Sequence, residues 1–184
     1  MSQVSLPTDQ ILKALKKTMG KYVSSIGSYS ETQWNDKPSA DEWSMGQLYE
    51  HIAMSTSGYF CYKINTCLRR ENGSESLNIM PGGLKMYQHN SFPPFKFKVP
   101  QGLGDEPNPL PQSTYTKRFA NLMEQLEDLA EAVKKDNGKF RSPHAVPEIG
   151  ALNANEWLQM TEMHMRHHLK QKAYLDEYLM SKQN

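Results

Sequence analysis

Cysteine is scarce: Cys61 and Cys67 are the only two in 184 residues, too few for a disulfide framework. Six residues apart on one helix, they fall on opposite faces, so both are expected to be reduced thiols. No apolar run approaches the roughly 20 residues that a bilayer-crossing helix needs, so no membrane partner is expected. Neither sign of charge dominates, with 21 basic against 20 acidic residues, and a broad electrostatic grip on nucleic acid is excluded with it. The stretch Met1 to Ser5 lacks a basic region followed by an apolar one, so a signal peptide is not expected and the cytoplasm is the expected location. Phosphate loops, dinucleotide fingerprints and a separate nucleophile constellation are also missing. The length suits one domain over residues 1–184.

What is present is helical periodicity. Ile11, Leu12, Leu15, Met19, Tyr22, Val23 and Ile26 form a stripe over Asp9–Ile26, with Thr8 as N-cap and Gly27 as the stop. A second helix is expected over Ser44–Arg69. Ser44 and Gln47 have capping-box spacing, Trp43 and Leu48 staple spacing, and the face continues through Ile52, Ser55, Tyr59 and Tyr62. Phe119, Leu122, Leu126, Leu129 and Val133 mark a third over Tyr115–Asn137, with Gly138 placed as its C′ residue. Asn153 and Glu156 open a fourth, over Asn153–Met180. The span Glu71–Gln112 is too rich in proline for a long helix. Its aromatics Tyr87, Phe92, Phe95 and Phe97 suggest that it packs down, and it is long enough to join parallel helices. The expected fold class is all-α: a four-helix bundle with a long loop between the second and third helices.

Trp157, Thr161, His164, His168, Gln171, Leu175 and Tyr178 lie on one face of the fourth helix, apolar at its ends and polar in its middle. Buried polar groups without partners cost roughly 1–3 kcal/mol each, so this middle must be satisfied by something. His164 and His168 are one turn apart and can reach one ion at about 2.1 Å. His51, on the inward stripe of the second helix between Leu48 and Ser55, offers the third ligand. Three imidazoles from two helices suit Zn²⁺, Ni²⁺ or Fe²⁺ and leave coordination positions open, as catalytic sites do. The alternative is that these imidazoles only bond neighbouring carbonyls or tyrosines. Gln171 faces the same cavity, to orient a metal-bound water as a catalytic residue or to bond a partner helix. His167 leaves the helix about 100° from His168 and is given a surface or supporting role. His89 and His144 are expected to be exposed, Glu50 and Glu162 solvated, and Cys61 to lie in the core, too far along the helix from His51 to be a ligand.

The run Trp43-Ser44-Met45-Gly46-Gln47-Leu48-Tyr49-Glu50-His51-Ile52-Ala53 resembles the opening of the second helix in the DinB-like (DinB/YfiT) superfamily. His164-Met165-Arg166-His167-His168-Leu169-Lys170-Gln171 resembles that family's second signature, His-x3-His-x-x-Gln, and Pro143, His144, Gly150 and Leu152 fit the turn before it. The resemblance spans about Asp9 to Tyr178 and implies a four-helix bundle whose metal is held by His51, His164 and His168. One departure is Lys170, where the family often has glycine, and its bulk narrows the approach to the site. By the same resemblance, the expected activity is metal-dependent S-transfer using a low-molecular-weight thiol on a small-molecule substrate. The alternatives are a metal-dependent hydrolase and a non-enzymatic, stress-related metal-binding module. Methionines and aromatics beyond what the four stripes use suggest a homodimer.

Overall fold

The structure is a computed structural model and describes residues 4–92 and 106–182. Its elements are α1 (Thr8–Val23), α2 (Glu31–Asn35), α3 (Met45–Met54), α4 (Cys61–Leu68), α5 (Pro81–His89), α6 (Tyr115–Lys135), β1 (Ser142–Pro143), β2 (Ala151–Leu152) and α7 (Ala154–Ser181). It is the expected all-helical bundle, with one two-stranded antiparallel pairing beside it. Among the described residues no helix is long and apolar enough to cross a membrane.

Both expected capping boxes are present. Ser44 Oγ accepts from Gln47 N and Gln47 Oε1 from Ser44 N; Asn153 and Glu156 do the same at α7. The α6 stripe is buried as the periodicity requires, and so are Ile11, Leu15, Met19 and Tyr22 of α1, whereas Leu12 is half-buried and Val23 is exposed. Some ends differ. Pro7, not Thr8, caps α1, and the Thr8 hydroxyl instead donates to Asn155 Oδ1. The α-helix stops at Val23, and Ile26 lies in a separate 3₁₀ turn. A third capping box, Ser30 with Gln33, starts the short α2, which the apolar periodicity does not predict. Its Trp34 packs on Tyr49 and Tyr115.

The second helix departs from expectation in its middle. Ser55–Phe60 is a π-helical turn between α3 and α4. The buried positions Leu48, Ile52, Thr56, Phe60 and Ile64 advance by fours, slower than the 3.6-residue period of an α-helix. The wider π turn lets the chain keep that face inward. Ser55 and Tyr59, expected on the buried face, are therefore half-buried at its edge, and Tyr62 is exposed.

Contacts fix the directions of the four long rods. Asp9 pairs with Lys134, and Lys16 with Glu127, so α1 and α6 are antiparallel. Thr18 meets Glu162, and Tyr22 the carbonyl of Met165, so α1 and α7 run together. His51 meets His164, and Cys67 the carbonyl of Leu152, so the α3–α4 rod runs against α7. The α3–α4 rod and α6 are thus parallel, and the long connection is the crossover between them. Within it α5 is tied down by the Tyr87 hydroxyl, which donates to the carbonyl of Glu156. Phe92 packs against the core, whereas Phe95 and Phe97 lie outside the described residues.

Candidate metal centre

Two rods carry the three histidines to one level of the bundle. The Ser44 cap starts α3 so that His51, two turns on, faces α7, and the one-turn spacing of His164 and His168 stacks their rings opposite it. His51 Nε2 lies 3.1 Å from His164 Nε2. The ring centroids of His51 and His168, and of His164 and His168, are both 4.7 Å apart. One nitrogen from each ring lies within 4.8 Å of the others, and among the described residues no other His, Cys, Asp or Glu joins the group. Bonds of about 2.1 Å in a tetrahedron put ligand nitrogens roughly 3.4 Å apart, a spacing that this half-buried group approaches.

The donors also have the right protonation and direction. Burial pushes His51 down to about 4. Burial, with the neighbouring His51 adding to it, pushes His168 down to about 3. His164 is driven well below its ordinary value by burial and by the neighbouring rings of His168, His51 and His167. All three are neutral imidazoles near pH 7, the form that binds a divalent ion. His168 Nδ1 lies 3.0 Å from Gln171 Oε1, leaving Nε2 as the free nitrogen of that ring. His164 Nδ1 is buried with no hydrogen-bond partner, so its protein contacts alone leave this imidazole incompletely satisfied. The residues fit a metal ion.

Aromatic rings wall the group. Trp43, which expectation placed as a staple on Leu48, lies 4.9 Å from His51 and stacks near-parallel with His168. Phe60, at the end of the π turn, lies 5.0 Å from His164. Phe92 lies 6.3 Å from His164 and 5.5 Å from His167. His167 is exposed at the rim.

Several expectations need correction. Glu50 is buried, not solvated: it accepts from the Tyr115 hydroxyl and, bidentately, from Arg118. Glu162 is buried too, paired with Arg166 and Thr18. His144 is half-buried, stacked on Trp157 at 5.2 Å, with its Nδ1 accepting from Val146 N. His89 is exposed as expected, and Cys61 and Cys67 are both buried and free. Met160, Met163 and Met165 belong to the core.

A family model for the DinB superfamily matches residues 14–171. Among solved structures, the chain is similar to YfiT from Bacillus subtilis, described as a probable metal-dependent hydrolase with an unusual four-helix bundle topology. The two are 13% identical, with a TM-score of 0.62 over 97% of this chain and 93% of that one. No curated protein matches.

Proposed function

The chain belongs to the DinB superfamily, and from that premise we propose that it is a metal-dependent enzyme acting on a small molecule. His51, His164 and His168 hold the divalent ion (Zn²⁺, Ni²⁺ or Fe²⁺), and the reaction is S-transfer in which a low-molecular-weight thiol attacks an electrophilic small molecule and displaces its leaving group. The observation that carries the metal reading is the convergence of three neutral imidazoles from two helices with no fourth ligand from the described residues. A structural ion would be closed by a fourth protein group, whereas three leave a position for a reactant. When bound, such an ion lowers the pKa of the water or thiol in that open position.

The chain's own part is to keep the three imidazoles neutral and aimed at one point, and to limit water around them with Trp43, Phe60 and Phe92. An apolar surround favours a soft, weakly hydrated nucleophile such as a thiol over water. The second reading is hydrolysis, which the likeness to YfiT favours. The proposal includes a cytoplasmic, homodimeric protein built as one domain.

Elemental analysis of the purified chain should find close to one divalent ion per chain. The loaded protein is then offered electrophiles with and without small thiols, and activated esters without them. Thiol-dependent turnover supports S-transfer, ester cleavage without thiol supports hydrolysis, and a metal-loaded chain inert in both would overturn the enzyme reading. Alanine at His51, His164 or His168 should remove most of the metal affinity. Alanine at His167 should remove little, because its ring leaves α7 in another direction.

A further inference from the structure

Gln171 is half-buried one turn beyond His168 on α7. Helical side chains lean toward the N-terminus of their own helix, so its amide reaches back over the preceding turn. There Oε1 lies 3.0 Å from His168 Nδ1. A neutral imidazole carries one proton, and a carboxamide oxygen can only accept. The proton of His168 therefore sits on Nδ1, and the lone pair on Nε2.

From this geometry we infer that Gln171 is a positioning residue: its Oε1 fixes the tautomer and ring plane of His168 so that Nε2 is offered to the ion. The inference rests on the three-histidine metal reading and deepens it. The partner belongs to the same helix as the ligand. The pair is thus set by local geometry, independently of how α3 closes against α7. His164 differs, since its Nδ1 has no hydrogen-bond partner.

The test compares wild type, Gln171→Leu, Gln171→Glu and His168→Ala, with Zn²⁺ affinity read by chelator competition. The ¹⁵N shifts of the His168 ring are read in the metal-free proteins. Loss of an outer partner of a ligating histidine typically costs about 10- to 100-fold in metal affinity. Gln171→Leu should therefore bind Zn²⁺ about 10- to 100-fold more weakly, with the His168 shifts moving from the Nδ1–H form toward a mixture. Gln171→Glu keeps an acceptor at the same reach and should restore both. A merely structural role would lower thermal stability without moving the tautomer. Wild-type affinity and unchanged shifts in Gln171→Leu, with His168→Ala weakened, overturn this inference alone. No Zn²⁺ uptake by wild type overturns the metal reading together with the purpose assigned to Gln171.

Discussion

At the scale of single residues, what was legible depended on whether a side chain's partner is near in sequence. His164 and His168 announce themselves by one-turn spacing on an inward face, and His51 by its place on a capped amphipathic helix. Glu162 was expected to be solvated and is buried, although Arg166 four residues on, the ordinary spacing of a helical ion pair, is a signal that could have found its partner. Glu50 was not legible, because its partners Tyr115 and Arg118 are far along the chain and meet it only after the crossover. The same holds for His144, whose burial comes from stacking on Trp157. Cys61 makes a prediction at this scale. Burial pushes its thiol up to about 12, and burial also raises Cys67. A raised thiol pKa means less thiolate at any working pH, and the thiolate is the nucleophile. At pH 8 the native protein should be alkylated by iodoacetamide far more slowly than a free thiol, and both cysteines should react promptly in denaturant. Fast labelling of the native chain by mass spectrometry would show the core to be open where the structure closes it.

At the scale of elements, the capping boxes of α3 and α7 and most of the apolar stripes were legible, while the start of α1 at Pro7 and the π turn were not. A helical face extended at the α period runs through Ser55, Tyr59 and Tyr62, and the change to steps of four shows only when Thr56, Phe60 and Ile64 are seen to be buried. The short α2 carries its own capping box, Ser30 with Gln33, but its five residues hold too little periodicity to mark a helix. Three glycines separate propensity from packing. Gly20 lies inside α1 and Gly58 inside the π turn, and in both places an added Cβ meets nothing within 4 Å. At Gly46 an added Cβ would lie 2.6 Å from Trp34 Nε1. Gly20→Ala should stabilise by about 0.5–1 kcal/mol, the propensity difference between the two residues. Gly46→Ala should destabilise, because Trp34 is buried and cannot retreat without disturbing Tyr49 and Tyr115. Denaturant unfolding measures both, and equal shifts at the two sites would contradict the packing described.

At the scale of the whole molecule, the length and proline content of the crossover indicated that two neighbouring rods run in parallel, and the ion pairs give the same result. His51 stands 113 residues before His164 in sequence, so no unfolded chain holds the site ready-made. Any ion bound there favours the folded state, by about 2.7 kcal/mol at a free concentration 100 times its Kd. Excess Zn²⁺ should accordingly raise the Tm of wild type and leave that of His168→Ala nearly unmoved, as calorimetry can check. Homodimer formation has a physical test as well. Met54, Tyr62, Tyr174 and Met180 remain exposed, and sedimentation at micromolar concentration should find the pair; a monomer there would falsify it.

Parallel neighbours bring like ends together. Each helix start carries roughly half a positive charge from its unpaired N–H groups, and in this bundle α3 and α6 begin at the same end. Antiparallel rods cancel such charges in pairs, but these two add. Acidic groups stand where they add. The Glu50 carboxylate lies against the first turn of α6 through Tyr115 and Arg118, and Glu106 reaches the first turn of α3 through the Gln47 amide. Threading two rods in the same direction sets the starts of α3 and α6 together, with the C-terminal ends of α1 and α7 at the same end of the bundle, and Glu50 is a buried carboxylate between the two starts. Glu50→Gln keeps the shape and removes the charge, leaving Arg118 unneutralised beside two positive helix ends. The expected loss of stability is about 1–3 kcal/mol, and because the interaction is part-buried it should persist in salt high enough to erase the exposed Arg70–Glu75 pair.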